Sequence, residues 1–573
     1  MKKIVIVLIV IFAMLLASCG DVSSSIGETS SQTVLESSQD TSSDVSQDDT
    51  TASEPTVSEE TSSEVVAQTS SEETSSEKTS SNTASVSSKE TSSKSSTTIV
   101  VAKEYTVTFD ATQACGPDNV YTRKVKSGQK VTAPNLTTEL GYALGWYYTD
   151  GNDTKKWDFN TSKVTENVTL TAKLEYATYE LPIINIDTNG AAIKSKEDYT
   201  DMTFSIENCD GELENVTGGI RLRGNSTMGY AKKPYRIKFD KKQSLFGLPK
   251  AKSWVLLAEY LDPSALHNYT AFKLASEFDG LAFTPSPYKV NVYLNGEYVG
   301  LYTLCEQVQE NEGRMNIELD EIDPNFTELK QYNFFISMDF SSKNDAGATL
   351  DETYFYLEDY DRYFELKYPE KDQFPSEAQF ESFMTQLKAY TKEVLDACVD
   401  KDLDKIKAEV NVDSLIDYLI VDIIMGEKDH YRKSFHMYYT NTSSDPEENG
   451  KLNFGPIWDY DWSLNTPWTD APNVSYEINN TVNYSNYYFQ AVDKIPELKQ
   501  MLKTRYNLCA KEVLADYIAD LDNLVSTMQE SVDLNEERWY TQFDSEISQK
   551  NITFLKDYLK ARKLKLDELW SLE

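Results

Sequence analysis

The sequence predicts an α+β fold in two lobes, with a small β-rich module ahead of it. Three observations predict it. Short stretches alternating apolar and polar residues fill the first half of residues 177–573, and apolar residues recur at helical spacing through the second half. That span also exceeds what one simple core usually holds, so two lobes with a cleft between them are expected. Ahead of it, residues 103–176 carry their own set of alternating strands and turn residues.

The chain begins with Lys2 and Lys3, then an apolar run over residues 4–16, then Leu16-Ala17-Ser18-Cys19. The run is too short to span a bilayer comfortably. This order of charge, apolar run and cysteine resembles a bacterial lipoprotein signal peptide over residues 1–18. The resemblance implies that Cys19 is lipidated and becomes the mature N-terminus. The expected location is the bacterial cell surface, outside the cytoplasm, with the membrane touched through the lipid anchor only.

Residues 19–102 are Ser, Thr, Asp and Glu with almost no large apolar side chain. Such a segment does not bury enough surface to offset its ordering entropy, and its acidic residues extend it. A disordered stalk is expected there. Over the whole chain, 93 acidic residues against 55 basic ones give a net charge of -38. No basic tract offsets that charge, which excludes nucleic acid as a partner. Beyond Cys19 the cysteines are Cys115, Cys209, Cys305, Cys398 and Cys509, with no C-x-x-C pair, so neither a disulfide framework nor a zinc site is expected.

In the first module Tyr105, Val107 and Phe109 alternate with polar residues as a half-buried strand does. Asn135, Gly141 and Gly151-Asn152-Asp153 mark turns, and residues 168–174 read as the closing strand. Val107-Thr108-Phe109-Asp110, Gly141-Tyr142, Gly145-Trp146-Tyr147, Trp157-Asp158-Phe159 and Val168-Thr169-Leu170-Thr171 resemble an InlB B-type (Listeria–Bacteroides) repeat. Leu174 stands where such repeats usually close on tryptophan. The resemblance implies a β-grasp-like spacer or binding module.

In the larger part, residues 183–186, 219–223 and 234–239 read as strands. Residues 288–294 and 297–302 flank Asn295-Gly296, a type I′ hairpin signature. Asp262 and Pro263 suit the start of a helix that continues through Leu266, Tyr269, Phe272 and Leu274. Helical spacing then dominates residues 378–399, 412–424, 495–528 and 552–572.

One short run carries the most chemistry. Gly455-Pro456-Ile457-Trp458-Asp459-Tyr460-Asp461 is apolar until it ends in two carboxylates one residue apart. On a strand, Asp459 and Asp461 would point to the same face. Like charges that close are costly unless a cation sits between them. A hard divalent ion such as magnesium favours oxygen ligands of this kind. The alternative is the solvated face of an edge strand.

Several blocks in one order then resemble the CotH kinase family over most of residues 180–470. They are Leu222-Arg223-Gly224-Asn225-Ser226-Thr227, Lys233-Pro234-Tyr235-Arg236-Ile237-Lys238, the stretch 254–268, the hairpin 295–306, the stretch 429–438 and the run 455–461. The resemblance implies a two-lobed atypical protein-kinase-like domain. It also implies ATP and Mg2+ or Mn2+ as cofactors, and transfer of the γ-phosphate to Ser/Thr hydroxyls of a protein substrate.

Phosphoryl transfer needs cations around phosphates, a metal held by carboxylates and a carboxylate near the attacking hydroxyl. Under the family reading Asp459 and Asp461 hold the metal, and Asp429 is the catalytic carboxylate. Arg223, Lys238 and Glu306 then form the nucleotide side. Each has a plainer alternative. Arg223-Gly224-Asn225-Ser226 also suits a structural turn, Lys238 a solvated strand lysine, and Asp429 a surface aspartate at a helix end. Lys233 competes with Lys238, and Glu306 suits either a lysine or a metal. Ser434 and His267 stand where relatives often carry asparagine and arginine, so no ligand role is assigned to either. A non-catalytic surface adhesin or structural surface protein that keeps the fold is the alternative function. The three aspartates favour the kinase, and the scarcity of ATP outside cells favours the adhesin.

Overall fold

Alternation of buried and exposed residues builds β1 (Glu104–Asp110), whose Val107 and Phe109 are fully buried. The computed structural model describes residues 103–177, 180–311, 313–315, 317, 322–323, 325–339, 352–464 and 486–572. The expected signal peptide and stalk, Cys19 included, lie outside the described residues. After β1 come a one-turn α1 (Thr112–Cys115), β2 (Val120–Lys126), β3 (Tyr142–Asp150), β4 (Asp153–Lys156) and β5 (Val168–Tyr176). They form a mixed sheet in the order β2-β1-β5-β3-β4, with β1 and β5 as its parallel pair. Phe109, Trp146, Trp157 and Leu170 fill one small core, with Phe109 and Trp146 edge to face at 5.1 Å.

Seven strands follow: β6 (Ile183–Asp187), β7 (Thr200–Glu207), β8 (Leu213–Leu222), β9 (Tyr235–Gln243), β10 (Ala251–Leu257), β11 (Tyr288–Leu294) and β12 (Glu297–Glu306). They close into a barrel in the order β10-β12-β11-β6-β7-β8-β9, which leaves no free sheet edge. Inward residues such as Phe204, Ile237, Phe239, Trp254 and Leu304 fill it. The turn between β11 and β12 has both Asn295 and Gly296 at positive φ (53° and 81°), as a type I′ turn requires. Between β10 and β11 lies α2 (His267–Ala275). Asp262 accepts the amides of Ser264, Leu266 and His267 ahead of it, so the expected cap acts from outside the helix.

The second half has an antiparallel sheet and a helical layer. β13 (Phe334–Met338), β14 (Tyr354–Leu357), β15 (Arg362–Tyr368), β16 (Phe435–Thr440) and β17 (Lys451–Phe454) pair in the order β14-β15-β13-β16-β17. The helices are α3 (Glu377–Asp400), α4 (Leu403–Glu409), α5 (Val412–Met425), α6 (Tyr487–Lys494), α7 (Pro496–Arg505), α8 (Lys511–Trp539) and α9 (Ile547–Leu569), with a π turn joining α7 to α8. α5 is apolar nearly all round and almost wholly buried, as a helix wrapped by others must be. This second core also takes in the barrel's outer face at Val255, Leu257, Leu301 and Cys305. No described helix is long and apolar enough to cross a membrane.

One expectation is corrected. β17 ends at Phe454, and residues 455–459 are not strand. Asp459 takes a left-handed backbone (φ 71°), and Tyr460–Trp462 form a 3-10 turn. Strand alternation therefore does not orient Asp459 and Asp461.

Candidate functional site

Two loops build the site. The first leaves α5 at Gly426, whose positive φ of 60° ends the helix, and runs through Glu427, Asp429, His430 and Ser434. The second leaves β17 and runs through Trp458, Asp459, Tyr460 and Asp461. Buried His430 joins them. Its Nδ1 lies 3.0 Å from both carboxylate oxygens of Asp422 on α5, and its Nε2 lies 2.8 Å from the Trp458 carbonyl. Burial alone would push the imidazole pKa down. Asp422 and Glu427 more than offset that and hold it up at about 10, so His430 is an imidazolium that donates to both partners. The Tyr460 hydroxyl donates to Asp422 at 2.6 Å, and the Tyr460 amide donates to Asn268 of α2 at 2.8 Å. The second loop is thereby fixed to both α5 and α2.

Four carboxylates from these loops act on one another. Asp461 is buried, and burial first, then Asp459, push its pKa well above the usual carboxylate range. A carboxyl contact between Asp459 and Asp461 contributes to that shift, as does the charge of Glu427 and Asp429. Glu427 is 2 % exposed, and burial pushes it up to about 7. Its Oε1 accepts the amides of Lys428 (2.7 Å) and Asp429 (2.6 Å), while its Oε2 is buried with no partner. Asp429 pairs with Lys433 at 2.8 Å. Burial opposes the charge on Lys433, and Asp429, Asp459 and Asp461 together raise its pKa. The Ser434 hydroxyl donates to Asp459 at 2.8 Å, so the serine orients a carboxylate.

The barrel supplies the opposing cations. Arg223 follows β8, with its guanidinium 5.1 Å from the Trp458 ring centroid. Burial lowers its pKa, and Asp459, Cys305 and Asp461 act against that shift. The next residue, Gly224, has φ +87° and no room for a Cβ, which would meet Thr227 Oγ1 at 2.0 Å. Arg236 on β9 lies within electrostatic reach of Arg223, and its Nε is buried without a partner.

Asp429, Asp459, Asp461 and Arg223 are thus brought together from three segments far apart in sequence. Lys238 and Glu306 are not joined as the sequence reading expects. Lys238 is exposed on β9, with its ammonium 5.9 Å from the Tyr199 ring. Glu306 is 3 % exposed at the end of β12, where it accepts the Ser286 amide at 2.7 Å. No ion pair links Glu306 to a lysine among the described residues. The register explains this: Glu306 faces Trp254 across β10, whereas Lys238 faces Ser253 and points to the opposite side of the sheet. Lys233 donates to the carbonyls of Met228 (2.6 Å) and Tyr230 (2.5 Å), so it staples its own loop. His267 is buried against Asp262 at 3.5 Å.

Sequence reading misses Glu427, His430, Lys433 and Arg236. The signal for the first two is the run Glu427-Lys428-Asp429-His430 after an apolar helix, and for Lys433 its place four residues after Asp429. Arg236 sits inside the same strand as Lys238, and only burial separates their roles. Among the described residues, no group of three or more His, Cys, Asp or Glu side chains is gathered closely enough to hold a metal. The donor set still suits a hard cation. Two touching carboxyls supply oxygen, and magnesium commonly takes one or two carboxylates and completes its shell with phosphate and water.

A family model described as CotH kinase protein matches residues 220–566, more than half of the chain. One described as Listeria-Bacteroides repeat domain matches residues 105–173. No curated protein matches.

Proposed function

The chain belongs to the CotH kinase family, and we propose that it is an atypical protein kinase, transferring the ATP γ-phosphate to Ser/Thr hydroxyls of a protein. We place it outside the cytoplasm, at the bacterial surface, tethered through lipidated Cys19. One observation carries the reading: the Arg223 guanidinium, stacked on Trp458, lies within electrostatic reach of the paired carboxyls Asp459 and Asp461. A partly buried guanidinium opposite paired acids suits phosphates accompanied by a divalent cation.

In this reading Asp459 and Asp461 hold Mg2+ or Mn2+, which when bound neutralises phosphate charge. Arg223 and Arg236 draw in the phosphates, and Ser434 keeps Asp459 in position. Asp429 accepts the acceptor hydroxyl's proton on a carboxylate oxygen, and Lys433 holds that carboxylate in place. His430 keeps the two acid-bearing loops in register. Lys238 is withdrawn from the nucleotide side, because it stands exposed beside Tyr199, whereas Arg236 on the same strand face is half-buried near Arg223.

The test is incubation of the purified chain with γ-labelled ATP, Mn2+ and a generic acceptor protein. Label on serine or threonine is expected from the wild type and not from Asp459→Asn. A folded wild type that neither transfers label nor binds nucleotide is an adhesin or structural surface protein instead. The repeat module fastened to the barrel suits that second reading.

A further inference from the structure

Glu427 is the first residue after the glycine that ends α5, and it is 2 % exposed. Buried this deeply, it meets neither nucleotide nor acceptor protein. A carboxyl is costly to bury, and burial pushes this one up to about 7. An apolar side chain of the same length would fill the space without that cost.

The carboxyl has a definite task in the backbone. Its Oε1 accepts two successive amides, those of Lys428 at 2.7 Å and Asp429 at 2.6 Å. Two amides that converge on one oxygen bend the chain around it. The Glu427 amide itself donates to the Asp422 carbonyl at 3.0 Å. The residue that grips the Asp429 amide is therefore held to the last turn of α5. The bend also separates two neighbouring side chains. Asp429 turns to the site, where it pairs with Lys433 at 2.8 Å and acts on Asp461. His430, the next residue, turns inward to Asp422 and the Trp458 carbonyl. Lys433 lies on the same loop as Asp429, so their pair does not tie the loop to α5. The Glu427 oxygen does.

We propose that Glu427 is a positioning residue for Asp429: it carries the end of α5 through to the Asp429 amide and so sets where that carboxylate stands. The inference rests on the kinase reading of Asp429. Glu427 acts through the backbone and not on the substrate. The plainer alternative is a carboxyl that only stabilises the end of the helix. The two differ in what happens when Asp429 is already disabled.

The test is a double-mutant cycle in the purified full chain. Transfer from γ-labelled ATP gives the rate, and ATP and Mn2+ affinities are measured alongside. Glu427→Met keeps the length of the side chain and removes the oxygen. It is expected to lower kcat by roughly tenfold to a hundredfold, as a slight misplacement of a reacting group does, with both affinities unchanged. Added to Asp429→Asn, it is expected to lower kcat little further, because residues that act through one another do not add. Glu427→Gln keeps an oxygen for the two amides and is expected to restore most of the turnover. The proposal is overturned if the two losses multiply, if Glu427→Met turns over like the wild type, or if Glu427→Gln is as slow as Glu427→Met. It is also overturned if ATP and Mn2+ affinities fall together with kcat, which is the mark of a loosened loop. If the methionine variant does not fold, Glu427→Ala decides by the same cycle. A wild type that transfers no label removes the kinase reading and this role with it. An active wild type whose two losses multiply removes the positioning role alone.

Discussion

At the scale of single residues, the site is a set of charges that hold one another. His430 shows the consequence for pH. Its folded pKa of about 10 lies above the ordinary 6.5, so its stabilisation is fully present below pH 6.5 and is lost as pH rises through about 10. The stability advantage of the wild type over His430→Phe is therefore expected to be largest below pH 6.5 and to shrink toward pH 10. Thermal unfolding across that range measures it, and a constant difference would remove the imidazolium from the account. Arg223→Met is expected to weaken ATP binding roughly tenfold to a hundredfold, because a charge-assisted contact is worth about 1.5–3 kcal/mol. Lys238→Met is expected to change it little; the reverse result in a binding titration would restore the lysine. Asp429→Asn is expected to lower turnover by roughly 10²–10⁴ with ATP affinity nearly unchanged. Loss of ATP affinity with normal turnover at saturation would move Asp429 to the nucleotide side. Residue chemistry was partly legible in the sequence. Asp459 and Asp461 do touch, but through a left-handed residue and a tight turn, which no alternation pattern reveals. Arg236 and Lys238 share one strand face, and the tertiary burial that separates them leaves no local mark.

At the scale of elements, local patterns were good guides wherever backbone chemistry decides. The Asn295-Gly296 turn, the closing strand of the first module and α5 all follow their signals, because turn residues and apolar periodicity act locally. The 455–461 run misleads because an apolar segment of that length is equally a buried loop. Its hydrogen bonds go to α2 and α5, far away in sequence. The end of α5 gives an element-scale prediction. Gly426 closes the helix at φ 60°, so Gly426→Ala is expected to cost about 1–2 kcal/mol. It should also displace Glu427 and Asp429, lowering turnover more than its stability loss explains. Denaturant unfolding and initial rates on the same sample check both, and an unchanged rate would uncouple the helix end from the acids.

At the scale of the whole molecule, the first module is fastened to the barrel. Tyr142 donates to the Gly296 carbonyl at 2.8 Å and Tyr293 to the Gly141 carbonyl at 2.6 Å, with Tyr176 and Tyr298 packed alongside. Gly141 is at φ +85°, and a Cβ there would meet Tyr298 at 2.8 Å. Composition gave no sign of this contact, because each tyrosine reads as an ordinary strand residue. Removing residues 103–176 is expected to leave nucleotide binding intact while lowering the thermal midpoint, since it uncovers Tyr293 and Tyr298. Lost nucleotide binding in a folded fragment would make the module part of the site. The most direct test of the central claim is a Mn2+ titration of the ATP-loaded chain, wild type against Asp459→Asn. The account predicts tight, saturable Mn2+ binding that the substitution weakens by tenfold or more. Equal Mn2+ affinity in the two proteins would contradict it.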